Sequence, residues 1–92
     1  MFRIIVSCDG IAPEQWPEAI NDVREEFACR HWHRLIDIRW SAQTLLLTVD
    51  NDYDAGGEAL ADEFSDTIAA YAPGAAGYSV RIVSVEKQLR SP

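Results

Sequence analysis

One unit written twice constrains this chain more than any other feature. Residues 4–28 run from Ile4-Ile5-Val6-Ser7-Cys8-Asp9 into an acidic segment carrying Ile20, Val23 and Phe27. Residues 45–71 run from Leu45-Leu46-Leu47-Thr48-Val49-Asp50 into a second acidic segment carrying Leu60, Phe64 and Ile68. Each copy is followed by one more strand-like run. Short aliphatic runs bounded by turn residues read as strands, and apolar residues spaced by three and four read as a helical stripe. The pattern is β-α-β stated twice, and few folds accept it.

The first strand is expected over Phe2 to Cys8, stopped by the turn pair Asp9-Gly10. Pro13 suits the first turn of a helix. Trp16, Ile20, Val23 and Phe27 form one stripe on that helix, while Glu14, Glu18, Asp22, Glu25 and Glu26 fill its other faces. From Trp32 to Trp40 the chain alternates. Ile36, Ile38 and Trp40 take one face; His33, Leu35, Asp37 and Arg39 take the other. Ser41-Ala42 is the expected turn, and Thr44 to Val49 the third strand. Asp54 or a neighbour should cap a second helix carrying Leu60, Phe64, Ile68 and Tyr71. Pro73-Gly74-Ala75-Ala76-Gly77 should end it, Tyr78 to Val85 should form the last strand, and the tail 87–92 should fray.

The order β-α-β-β-α-β is the split, ferredoxin-like arrangement. Right-handed crossovers place the third strand between the first and second. Residues 1–92 are therefore expected as a single α+β domain, a two-layer sandwich. Its antiparallel sheet has the order 4-1-3-2, with both helices on one face and the other face open.

Composition narrows the function classes. The net charge is −7, from 15 acidic and 8 basic residues. Such a chain repels phosphate, which argues against nucleic acid as a partner and favours basic proteins. No run is long enough to span a bilayer, and the strand-like Met1-Phe2-Arg3-Ile4-Ile5-Val6 is too short an apolar run for a signal peptide. Two cysteines make no disulfide scaffold, so reduced thiols and a cytoplasmic location are expected.

Geometry excludes two further constellations. Cys8 falls at one rim of the sheet, and Cys29, His31 and His33 at the other, separated by a strand that spans roughly 20 Å. A Cys8–His nucleophilic dyad needs approach to roughly 3 Å. A Cys8–Cys29 disulfide needs Cα atoms within about 7 Å. Neither is met.

Two weak metal readings arise at the lower rim. Continued strand pairing would set Arg39 opposite Thr44, Leu35 opposite Thr48, His33 opposite Asp50 and His31 near Asp52, two imidazoles beside carboxylates. The loop Asp50-Asn51-Asp52-Tyr53-Asp54-Ala55-Gly56-Gly57-Glu58 resembles a calcium loop. It has Ala55 where glycine is required and Ala61 where the bidentate acid belongs. Both ligand sets are incomplete, so no metal and no cofactor is expected.

The open sheet face is the stronger candidate. It should gather Arg3, Ile5, Leu35, Asp37, Arg39, Leu46, Arg81, Val83 and Val85, more aliphatic surface than a solvated face needs. With most carboxylates on the helices, the molecule should be polarised: arginine and aliphatic on the sheet, acidic on the helices. Trp16 and Trp40 are expected in the core.

Families of the same architecture differ at their marks. RNA-recognition modules carry aromatics and a basic Gly-aromatic motif on strands that here read Phe2-Arg3-Ile4-Ile5-Val6 and Thr44-Leu45-Leu46-Leu47-Thr48. Heavy-metal chaperones need CxxC where this chain has Cys8-Asp9-Gly10-Ile11, and Gly10-Ile11-Ala12-Pro13 lacks the arginine cradle of acylphosphatases. Two readings follow. The first is a small, non-enzymatic protein-interaction module of the inhibitor, immunity or regulatory type, using the open face and acidic helices, with a second copy of itself as one partner. The alternative is a dimeric α+β barrel that binds or transforms a small anionic molecule between two such faces.

Overall fold

Two central strands, each flanked by an edge strand, carry the core. The computed structural model describes residues 1–71 and 77–87, the side chain of Tyr71 excepted. β1 is Phe2–Asp9, and a 3-10 turn over Pro13–Gln15 leads into α1, Trp16–Ala28. β2 is Ile36–Ser41, β3 Thr44–Asn51, α2 Glu58–Tyr71 and β4 Ser79–Lys87. The antiparallel sheet has the order β2-β3-β1-β4, the expected order read from its other end. The expected terminator 73–76 and the tail 88–92 lie outside the described residues. β4 runs two residues beyond the expected Val85.

Ile4, Val6 and Cys8 alternate on β1, as Leu45, Leu47 and Val49 do on β3, and all six are fully buried. Ile20, Val23 and Phe27 of α1 and Leu60, Phe64 and Ile68 of α2 join them in one cluster. Both helical stripes thus share one core with that sheet face. Each large aliphatic or aromatic side chain contributes roughly 1.5–3 kcal/mol by leaving water, as an upper limit. Trp16 and Trp40 pack against this cluster and stack on each other at 6.1 Å.

Local chemistry sets the element ends. The Asp54 carboxylate accepts the backbone N–H groups of Ala59 and Leu60 at 3.3 and 2.8 Å, which caps α2 as expected. Gly57 adopts φ +75° under the helix start, where a Cβ would press on Ile4, Ile82 and Val85 at 3.1–3.2 Å. Gly10 has φ +99°, and a Cβ there would meet Tyr78 Cα at 2.8 Å, so the chain closes on itself only with glycine.

Two registers differ from expectation. The β2–β3 turn is Ala42-Gln43, both at positive φ, rather than Ser41-Ala42. Arg39 therefore faces Leu46, not Thr44, and Thr48 faces Asp37, not Leu35. The shift is by two residues, so every side chain keeps its face. On β4 a bulge sets Ile5 opposite Ser84 but Val6 opposite Ile82, leaving Val83 as the extra residue. Beyond it the alternation is reversed. Val85 pairs with Ile4 and packs against the core, so its assignment to the open face is corrected.

Candidate functional site

The open face is built by the odd-numbered residues of β1 and their cross-strand neighbours. Arg3 lies opposite Asp50 and Glu86, Ile5 opposite Thr48 and Ser84, and Ser7 opposite Leu46 and Arg81. Leu35 precedes β2 but continues its ladder: Arg34 N–H donates to the Asp50 carbonyl at 2.8 Å, and Asp50 N–H to the Leu35 carbonyl at 3.3 Å. Ile5 and Leu46 are half-buried, Leu35 and Val83 exposed. Arg3, Ile5, Leu35, Asp37, Arg39, Leu46 and Arg81 thus occupy one face; Val85 does not.

The charges on this face are balanced rather than basic. Arg3 makes a bidentate pair with Asp50, Nε to Oδ1 at 2.9 Å and a terminal nitrogen to Oδ2 at 3.0 Å. That pairing raises the Arg3 pKa above its ordinary value. Arg39 reaches Asp37 at 2.8 Å, and Arg81 reaches Asp9 at 3.6 Å. Thr44 also donates to Asp9 at 2.6 Å. The expected polarity is half corrected: α1 and α2 carry four carboxylates each against the single Arg24, but every arginine of the face has a carboxylate beside it. At the centre of the face Ser7 is only 2% exposed, and its hydroxyl has no hydrogen-bond partner among the described residues.

At the lower rim the segment 29–35 turns instead of extending. The His33 N–H donates to the Arg30 carbonyl at 3.1 Å. Cys29 and His31 stay exposed, while the His33 ring is completely buried. His33 does not face Asp50, which is taken by Arg3. Its Nε2 lies 3.1 Å from Glu63 Oε2, and its Nδ1 lies 3.3 Å from Asn51 Nδ2. Asn51 Oδ1 accepts the backbone N–H groups of Asp54 and Tyr53 at 3.1 and 3.4 Å, which turns its amide nitrogen toward the ring. That nitrogen only donates, so Nδ1 accepts and the ring proton sits on Nε2, aimed at Glu63.

Glu63 is the hub of this network. It also receives Arg30 Nε at 2.9 Å and the Tyr53 hydroxyl at 3.3 Å. Phe27 and Tyr53 flank the imidazole at 5.7 and 6.4 Å. Burial, with Glu63 adding to it, pushes the Tyr53 phenol up to about 12. The cluster ties the segment before β2, the end of β3 and the middle of α2 together. Sequence reasoning missed it because Glu63 lies 30 residues from His33 and occupies an ordinary acidic helix position.

The reactive groups stay apart. Cys8 and Cys29 are both free thiols. Burial, then Asp9, pushes the Cys8 thiol up to about 11. The grouping of His31, His33, Asp50 and Asp52 does not form, and among the described residues no three His, Cys, Asp or Glu side chains gather around a metal-sized site. The loop that resembles a calcium loop is used otherwise: Asp50 pairs with Arg3, and Asp54 caps α2. No helix among the described residues is long and apolar enough to cross a membrane. No protein-family model matches this chain, and no curated protein matches it at a significant level.

Proposed function

We propose that this chain is a small, non-enzymatic protein-interaction module whose contact surface is the open sheet face. The observation that carries the reading is the state of that face. Ile5, Leu35 and Leu46 offer aliphatic surface, with the exposed Val83 of the β4 bulge adjoining, among three arginines already paired with carboxylates of the same chain. Docking such a face buries no unpaired arginine, and an unpaired buried charge is the costly event in interface formation. The acidic helices add a long-range field that attracts basic partners. The reactive groups support a binding role. His33 has both ring nitrogens engaged and no solvent access, and the Cys8 and Tyr53 acids are held in their neutral forms.

The paired-sheet alternative draws on one observation, the buried Ser7 hydroxyl on the same face, which has no partner among the described residues. Against it, an anion enclosed there would compete with Asp50, Asp37 and Asp9 for their arginines.

The test is the dependence of a bound protein on the face. Affinity capture from an extract is run with the wild type and with Leu46→Asp, the variant's fold checked by circular dichroism. A protein retained by the wild type, lost with folded Leu46→Asp and released by added salt is the expected result. Equal retention by both removes the face as the contact surface. A stoichiometric small anion recovered with a wild-type dimer, and lost with Leu46→Asp, selects the paired-sheet alternative.

A further inference from the structure

β4 is an edge strand that the rest of the molecule covers poorly. Among the described residues it is the longest strand, nine residues from Ser79 to Lys87, and its outer edge has no neighbour in the sheet. Ile82 faces the helical side, opposite Val6, yet is 40% exposed, and Val83 is 55% exposed. A groove of about 440 Å³ between Ala61, Asp62 and Ser65 of α2 and Tyr78, Ser79 and Val80 runs beside it. An unpaired edge of this length is a template for another strand.

The bulge at Val83 says which strand. An extra residue puts the edge out of step with a regular strand, which is one way natural edges refuse partners. A second copy of β4 carries the same extra residue. Two copies laid antiparallel about a two-fold axis between Val83 and Ser84 stay in step along their length. Arg81 of each copy then stands opposite Glu86 of the other, and Ile82 opposite Val85. The faces agree as well. Arg81 and Glu86 lie on the open face, opposite Ser7 and Arg3, while Ile82 and Val85 lie on the helical face, opposite Val6 and Ile4. Residues three or five apart share a face only because the bulge intervenes. Opposite charges and aliphatic pairs set directly across antiparallel strands are the units that stabilise a sheet.

We infer that β4 pairs edge to edge with β4 of a second copy, joining two four-stranded sheets into one of eight strands held by reciprocal Arg81–Glu86 and Ile82–Val85 contacts. The axis is perpendicular to the sheet, so the two open faces lie side by side, and neither is consumed. The inference concerns the edge alone; its failure leaves the binding role of the open face standing.

Sedimentation equilibrium of the full chain from low to high micromolar concentration tests it, with Arg81→Glu and Glu86→Arg as variants. Each variant alone opposes like charges twice in the dimer and is expected to weaken it by about tenfold or more. An equimolar mixture restores both pairs, so the two weakened proteins should recombine into a one-to-one dimer of wild-type affinity. Circular dichroism establishes that each variant is folded. A wild type that stays monomeric at high micromolar concentration overturns the inference. So does a dimer indifferent to both variants but separated by Leu46→Asp, which places self-association on the sheet face instead.

Discussion

The two edges of this sheet are opposite cases. On β2 the helix-facing Ile38 is 4% exposed, and Trp40 lies under Trp16 of α1. On β4 the helix-facing Ile82 stays 40% exposed beside an open groove. The cause is the size of the residues on the flank of each helix. α1 starts with a tryptophan that reaches over its edge strand. α2 commits Leu60, Phe64 and Ile68 to the centre of the core, where they are fully buried, and turns the small Ala61 and Ser65 toward β4. The edges also differ in their own charges. Asp37 and Arg39 of β2 pair with each other at 2.8 Å across the strand surface, whereas Arg81 of β4 meets Asp9 at the longer distance of 3.6 Å. Two helices of equal hydrophobic pattern thus protect their edges unequally.

The largest expected effect that sharpens this contrast is in the core. Ile38→Ala should cost about 2–5 kcal/mol in chemical or thermal unfolding, because it leaves a cavity under α1. Ile82→Ala should cost below about 1.5 kcal/mol, since much of its surface already meets water. Equal losses at the two positions would break the comparison.

Glu63→Ala comes next. It strips the acceptor from the buried His33 Nε2–H and from Arg30. An orphaned buried donor costs about 1–3 kcal/mol. Hydrogen exchange should quicken in residues 29–36, which lead into β2, and in the 51–54 loop, while β4 is unchanged. Faster exchange confined to β4 would mean that the network does not anchor the β2 end.

The smallest effect is read by the thiols. Cys8 pairs with Val80 of β4 and Leu45 of β3 and is fully buried in the core, so it is reached only when the structure around it opens. At neutral pH a haloacetamide should modify the exposed Cys29 and leave Cys8 until denaturant is added. Early labelling of Cys8 would show that the core at this end of β1 opens in the native state. The unfolded thiol releases its proton near 9.0 and the folded one near about 11. Between those values the unfolded state holds fewer protons, so stability should fall as the pH rises through that window. A stability profile flat from neutrality to pH 11 contradicts the burial of Cys8.

Much of the fold was legible along the chain. The doubled pattern and crossover handedness led to the antiparallel order, the stripes of both helices and the Asp54 cap, while Trp16 and Trp40, expected in the core, pack against it half-buried. The candidate site was legible where periodicity of two holds without interruption, as in Arg3, Ile5, Asp37, Arg39 and Leu46. It failed where one residue changes the count. Val85 moved to the core because a bulge inserted Val83, and no residue near it carries the glycine or proline that marks such an insertion. The hairpin turn slipped by one because Ala42 and Gln43 accept positive φ without the usual Asn-Gly signal.

Local physics therefore determined from the sequence alone which segments are strands and helices and which side of each is apolar, because hydrophobic spacing is a property of neighbours along the chain. Only the tertiary structure decided the rest. It bent the segment 29–35 inward so that His33 meets Glu63 and Asn51, since a buried imidazole must find partners wherever the fold supplies them. It paired Arg3 with Asp50, 47 residues away, so that a face read from the sequence as arginine and aliphatic holds its arginines beside carboxylates. It left β4 under-covered, because the reach of a helix over an edge depends on which of its residues the packed core has already taken.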